Sequence, residues 1–128
     1  MSHNSTQSNI FIEQIQLLKD FPVDGKFQMI NLLKFKDIVD DSGTTGKQAY
    51  LTYMKAATPF FAKTNARIIY AGYSLLTLIG PDKEWDKLLI VEYDSKADFI
   101  NMIHSPDYPL SLRSKALEDS RLILSRPS

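Results

Sequence analysis

The chain has 128 residues, and its fifteen basic and fifteen acidic side chains cancel to a formal net charge of zero. With no basic stripe, that balance excludes the electrostatic footprint of a nucleic-acid binder or of a protein held on acidic membranes. Cysteine is absent, which excludes disulfides, zinc–thiolate sites and thiol catalysis.

Met1 to Ser8 (MSHNSTQS) is polar, with no apolar run behind a basic start. It reads as a frayed tail rather than a secretion signal, and a cytoplasmic location is the expectation. His3 lies in this tail. No apolar stretch is long enough to span a bilayer. The rest, residues 9–128, has the size of one domain. Asn9 to Asp20 (NIFIEQIQLLKD) puts Ile12, Ile15 and Leu18 or Lys19 at helical spacing beside Phe11, with Ser8 or Asn9 as the cap. Phe21-Pro22 ends that helix, because a residue before proline leaves the helical region.

Phe27 to Phe35 (FQMINLLKF) alternates two sets of residues, and both are apolar at the centre. Phe27, Met29, Asn31, Leu33 and Phe35 point one way; Gln28, Ile30, Leu32 and Lys34 point the other. A strand apolar on both faces belongs inside a sheet that is covered twice. An acidic loop, Asp37 to Gly46, leads to a helix over Gly46 to Asn65, with Tyr50, Tyr53, Met54, Ala57 and Phe61 on its core stripe. Pro59 is expected to kink this helix or restart it at Thr58. Asn65 suits a left-handed stop.

Arg67 to Ile79 reads as one long strand, with Gly72 marking a bulge or a close approach. Gly80-Pro81-Asp82 turns the chain into a third strand, Asp86 to Tyr93. Ser95, with Asp98 three residues on, caps a helix that carries Phe99, Ile100 and Ile103 inward. Ser105-Pro106 is expected to restart it, carrying Leu110, Leu112, Ala116 and Leu117. Arg121 to Ser125 is the last strand.

After the first helix the order is β-α-β-β-α-β, which is an α+β, ferredoxin-like arrangement with a four-stranded antiparallel sheet. Two helices cover one face of such a sheet. The other face still presents Ile30, Leu32, Leu88 and Ile90, more contiguous apolar area than a monomer usually exposes. The expectation is a homodimer joined through that sheet face. The alternative is a monomer whose amino-terminal helix lies across it.

The runs NLLKF, AYLTYMKAATPFFAKTNARI, WDKLLIVEYDSKADF and SPDYPLSLRSKALEDSRLI, in this order, resemble a bacterial family of unknown function in the dimeric α/β-barrel superfamily. The resemblance covers roughly Phe27 to Leu124. Asn65 stands where that family usually has glycine, and the second strand lacks part of the expected glycine-rich character. Kinship with this superfamily implies a ligand pocket between the sheet and its own helices. It also implies a choice among cofactor-free quinol monooxygenases, isomerases, dehydratases and haem proteins. Fold alone does not choose between them.

The candidate residues each have a plainer structural reading. Asn31 is an amide in an apolar row; it is either a structural hydrogen bonder or a donor that polarises a ligand carbonyl. Tyr50, Tyr53 and Tyr93 are either core aromatics or pocket walls. His104, at a helix end, is either a surface cap or a general base. Tyr108 and Arg113 fall in the SPDYPLSLR run, where Arg113 holds a ligand carboxylate or pairs with Glu118 or Asp119. Lys34 and Glu92 are expected to form a cross-strand pair, and Trp85 to lie over a strand end.

No metal-ligand spacing, serine elbow or phosphate-loop glycine pattern is present, so no cofactor is expected. One function that follows is a metal- and nucleotide-free enzyme acting on a small apolar or aromatic carbonyl compound. Asn31 and His104 would be its catalytic pair. The other is a non-catalytic small-ligand-binding or structural homodimer. A haem role, which kinship with haem-degrading relatives would rest on Asn31 and His104, is the weakest, since Tyr93 stands roughly where those relatives have a tryptophan.

Overall fold

The structure, a computed structural model, describes residues 13–128. The amino-terminal tail, His3, Phe11, Ile12 and the expected cap at Ser8 or Asn9 lie outside the described residues. Helix α1 is seen over residues 13–20. Its end is tied down by Lys96, whose Nζ donates to the carbonyls of Lys19 (2.9 Å) and Phe21 (2.7 Å). A cation there suits the carbonyl-rich end of a helix.

The remaining elements are β1 (Phe27–Phe35), α2 (Gly46–Thr64), β2 (Arg67–Tyr73), β3 (Lys87–Tyr93), α3 (Lys96–Ile103), α4 (Leu110–Ala116) and β4 (Leu117–Ser125). The strands form one sheet in the order β2-β3-β1-β4, with every neighbouring pair antiparallel. This is the ferredoxin-like order. The central strand β1 has β3 on one side and β4 on the other.

Local chemistry sets the ends of α2. Thr45 and Gln48 cap its start reciprocally, each side chain accepting from the other's backbone N–H. Asn65 ends it at φ 58°, in the left-handed region. Gly46 sits where β1, α2 and α4 meet. A Cβ there would stand 2.3 Å from the Lys36 carbonyl oxygen and 2.7 Å from that of Ala116, so only glycine fits.

Several boundaries differ from the sequence reading. α2 runs through Pro59 without a break. β2 stops at Tyr73 rather than Ile79, and its irregularity falls between Ile68 and Tyr70 rather than at Gly72. Gly72 instead leaves room for the Tyr70 ring, whose hydroxyl would lie 2.5 Å from an added Cβ. The last helix starts at Leu110, not at Ser105-Pro106; Ser105 Oγ donates to the Asn101 carbonyl and caps nothing. β4 begins at Leu117, directly after α4, four residues earlier than the composition suggested. Lys34 does not meet Glu92, because the register sets Lys34 opposite Asp119 and Glu92 opposite Gln28. Lys34 donates to the Lys83 carbonyl, and Glu92 takes Arg67 (2.7 Å) and Gln28 (2.8 Å).

The core lies between the sheet and the helices. Phe27, Met29, Leu33, Leu89, Val91 and Tyr93 are buried on that face against Tyr50, Tyr53, Phe99 and Met102. Ile15 and Leu18 of α1 join the same cluster. α1 therefore packs on the helical side, and the monomeric alternative in which it shields the opposite face does not hold. That outer face carries Ile30, Leu32, Leu88 and Ile90, all half-buried, with Tyr70 and Ile123 exposed beside them. Among the described residues no helix covers it, and none is long and apolar enough to cross a membrane.

Candidate functional site

The candidate site begins with the alternation of β1. Parity turns Asn31 toward the helices, between Met29 and Leu33, and the sheet register sets it between Leu89 of β3 and Leu122 of β4. An amide buried there needs partners for both ends. Its Nδ2 donates to the carbonyls of Met29 (3.3 Å) and Leu89 (3.2 Å). Its Oδ1 accepts from Arg113 Nη2 at 3.1 Å. The two carbonyls require the NH₂ end and the guanidinium requires the oxygen, so the network dictates the amide's orientation.

That geometry changes the role expected of Asn31. Its donors are spent on backbone, so it does not polarise a ligand; it holds Arg113. The expected pairing of Arg113 with Glu118 or Asp119 does not form, and Asp119 pairs with Arg121 at 2.8 Å. Arg113 thus donates to Asn31 and also lies within hydrogen-bonding reach of the Tyr50 hydroxyl, and among the described residues no carboxylate pairs with it. A guanidinium has five donors, so these contacts leave some of them without a partner.

Behind Arg113, the tyrosines form a closed aromatic stack. Tyr50 and Tyr53 follow each other on α2, with ring centroids 5.3 Å apart, and Tyr53 meets the edge of Tyr108. The hydroxyls of Tyr53 and Tyr108 are hydrogen-bonded to each other. Tyr93 packs on Phe27 and edge-on to Phe99. Burial pushes the phenols of Tyr50, Tyr53 and Tyr93 well above the usual tyrosine range, an effect that the nearby Arg113 charge partly offsets. Tyr108 is pushed up to about 12, also by burial. These groups are neutral phenols at physiological pH, able to donate hydrogen bonds but not to take a proton.

The space between them is small. A cavity of about 30 Å³ lies among Asn31, Tyr50, Tyr53, Tyr93, Tyr108 and Arg113. That is room for about one water. The pocket expected among the tyrosines is therefore filled by their own rings. The larger space lies on the other side of Arg113, in a groove of about 960 Å³ between α1, α4 and the inner side of β4. Met29, Phe99, Leu110, Leu122 and Arg113 line both spaces and form the wall between them.

α4 presents Leu110, Arg113 and Ser114 to the groove at helical spacing, and Leu117 continues that face into β4. Ile15 and Leu18 of α1 form the facing wall. The two other arginines at the rim are already engaged: Arg121 with Asp119, and Arg126 with the carbonyls of Lys26 and Asp24. Arg113 differs from them: among the described residues neither a carboxylate nor a backbone carbonyl holds its guanidinium.

The structure thus brings together Asn31, Tyr50, Tyr53, Tyr93, Tyr108 and Arg113. It leaves out His104, which ends α3, is exposed and lines neither space. No group of three or more His, Cys, Asp or Glu side chains that could hold a metal ion occurs among the described residues. Trp85 lies on the outer face with the Arg121 guanidinium 5.0 Å from its ring centroid. The sequence reading missed the groove walls, Leu122, Leu124 and α1. The alternation of β4 carries a signal for the first two, but nothing local announces that α1 packs opposite them.

Comparison with known proteins agrees with this fold. RPA0582, described as a protein of unknown function from Rhodopseudomonas palustris, is 33% identical, with 91% of this chain and 92% of that one covered and a TM-score of 0.81. A methylated form of RPA0582 gives 34% identity, 91% and 90% coverage, and a TM-score of 0.82. A dimeric protein of unknown function with a ferredoxin-like fold from Bacteroides fragilis is 19% identical, with 79% and 95% covered and a TM-score of 0.52. That last likeness is one of fold alone. No curated protein matches. The sequence model of a family described as a domain of unknown function, DUF1330, matches residues 38–125, and the chain belongs to that family.

Proposed function

We propose that the chain is a homodimer in which each protomer binds a small, largely apolar compound through a carboxylate or enolate-like oxygen, with Arg113 as the anchor. One observation carries this reading: a guanidinium held in place by a buried amide, without a carboxylate partner among the described residues, in the wall of an apolar groove. A ligand oxyanion supplies what the site lacks, and a bidentate contact fits the fork of the guanidinium. The groove takes the apolar body; its volume lies in the range of small-molecule pockets.

The dimer reading is supported by the uncovered outer face of the sheet and by the dimeric description of the Bacteroides fragilis protein. Binding is favoured over proton-transfer catalysis, because the phenols near Arg113 are held protonated and His104 lies apart from them. The same separation of His104 from Asn31 speaks against a shared haem site.

Calorimetric titration with small aromatic and aliphatic carboxylates, set against their primary amides, tests the reading. The acids are expected to bind and the amides to bind weakly. Arg113→Gln is expected to cost the acids about 10- to 100-fold in affinity, the worth of a charge-assisted hydrogen bond. Equal binding of acids and amides, or of wild type and variant, sinks it.

A further inference from the structure

Beyond β2 the chain does something a lone protomer has no reason to do. Residues 74–79 (SLLTLI) leave the sheet, with Leu75 93%, Leu76 72%, Leu78 87% and Ile79 96% exposed. The segment is anchored at its base. Ser74 N donates to the Asp86 carbonyl at 2.9 Å, Asp86 N donates to the Leu33 carbonyl at 2.7 Å, and the Asp86 carboxylate accepts from Phe35 N at 2.8 Å. Lys34 holds the returning half at Lys83. The return half is therefore fastened to β1, while the outgoing half carries four large apolar side chains into water.

We propose that residues 74–80 form an arm that crosses to a second copy of this chain and lies against the β4 edge of that copy, where the groove beside Arg113 opens. The proposal rests on the sheet-face dimer above and extends it: each site is closed by its partner.

The arm leaves from an edge strand, since β2 and β4 are the two outer strands of the sheet. A two-fold axis parallel to the strands, running between two stacked sheets, lays the β2 edge of one copy over the β4 edge of the other without changing level along the strands. The level follows from the register. Tyr73, the last residue of β2, is opposite Lys87, Lys87 is opposite Leu33, and Leu33 is opposite Ser120. Ser120 and its neighbours Asp119, Arg121 and Leu122 line the groove.

The reach is sufficient: the loop leaves at Ser74 and is fastened again at Lys83, so its middle can stand up to about 15 Å from its base, against roughly 10 Å between stacked sheets. The exposed face and the arm are also continuous, since Trp85, at the foot of the loop, lies over Arg121 on the outer face. A zero formal net charge sets no repulsion between copies. A second copy therefore covers both apolar surfaces in one contact.

The absence of cysteine allows a clean test. Leu78→Cys and Ser120→Cys are made in separate preparations, mixed, exchanged under reducing conditions and mildly oxidised. Leu78→Cys mixed with Lys55→Cys, on the exposed side of α2, is the control. A disulfide-linked heterodimer is expected with Ser120→Cys and not with Lys55→Cys. In parallel, Leu75→Ser/Leu78→Ser is expected to raise the dimer dissociation constant at least tenfold in sedimentation, with an unchanged circular dichroism spectrum. A dimer that persists with no preferential cross-link, or with unaltered dissociation, overturns the arm and leaves the sheet-face dimer standing. A wild-type protein that sediments as a monomer overturns both.

Discussion

The two faces of the sheet start from the same material and end differently. On β1, both residue sets are apolar at the centre; on β3, Leu89 and Val91 face one way and Leu88 and Ile90 the other. The inner face closes under α1, α2, α3 and α4, with Phe27 and Leu33 wholly buried. The outer face stays half-open, with polar groups at both ends: the Gln28–Glu92–Arg67 network at one, and Lys34, Asp119 and Arg121 at the other. Burial thus depends on what lies above a residue and not on the residue itself. The inner face admits the amide of Asn31 and satisfies both of its ends; the outer face buries the amide of Gln28 and pairs it with Glu92, whose other partner, Arg67, is partly exposed.

Substitutions that probe each face separately turn this contrast into measurements. The largest effect is expected from Gly46→Ala, at the junction that sets the helices on the inner face. Three backbone atoms crowd the new methyl, and unfolding free energy should fall by about 3 kcal/mol or more in denaturant titration. Leu33→Ala should cost roughly 2–5 kcal/mol at any protein concentration, the cost of a cavity in a closed core. Ile90→Asp, its outer-face counterpart, should instead split the dimer in sedimentation. An Ile90→Asp protein that stays dimeric, or a Leu33→Ala protein whose loss depends on concentration, breaks the contrast.

Asn31→Ala should cost about 1–3 kcal/mol, since two strand carbonyls and the guanidinium lose a partner, and it should weaken ligand binding through Arg113. The phenols sharpen the same comparison through pH. In the folded state their pKa values are raised, so the stability they contribute is whole below pH 10 and is lost as pH rises through the folded values, which for Tyr108 is about 12. Absorbance titration should show Tyr50, Tyr53, Tyr93 and Tyr108 ionising only as the circular dichroism signal of the fold disappears. Ionisation of all six tyrosines with the fold intact contradicts their burial. The smallest effect is expected from Thr45→Ala, which removes one side of a helix cap, at about 1 kcal/mol.

Several features were legible because their causes are local. The alternation of β1, the left-handed stop at Asn65 and the Ser95 cap each depend on a few neighbouring residues, and all are present. Boundaries went astray where two local preferences competed. Residues 74–79 have strand composition, yet β3 is already paired only as far as Lys87, so they have no partner within the protomer. Pro59 has helix-breaking chemistry, yet α2 is held on both sides of it by Tyr53, Ala57 and Phe61 in the core.

The candidate site was legible as a set of residues and illegible as a site. Asn31 and Arg113 were singled out separately, but 82 positions divide them, and no spacing rule says that one holds the other. His104 has suitable chemistry and the wrong place. The sequence by itself determined the order of the elements, two apolar sheet faces and the absence of thiol chemistry, because periodicity and composition act along the chain. Only the tertiary structure decided which face α1 covers, that the tyrosines fill their own cavity, and that the open space lies beyond Arg113. Those outcomes depend on the relative placement of distant segments, which packing settles and local preference does not.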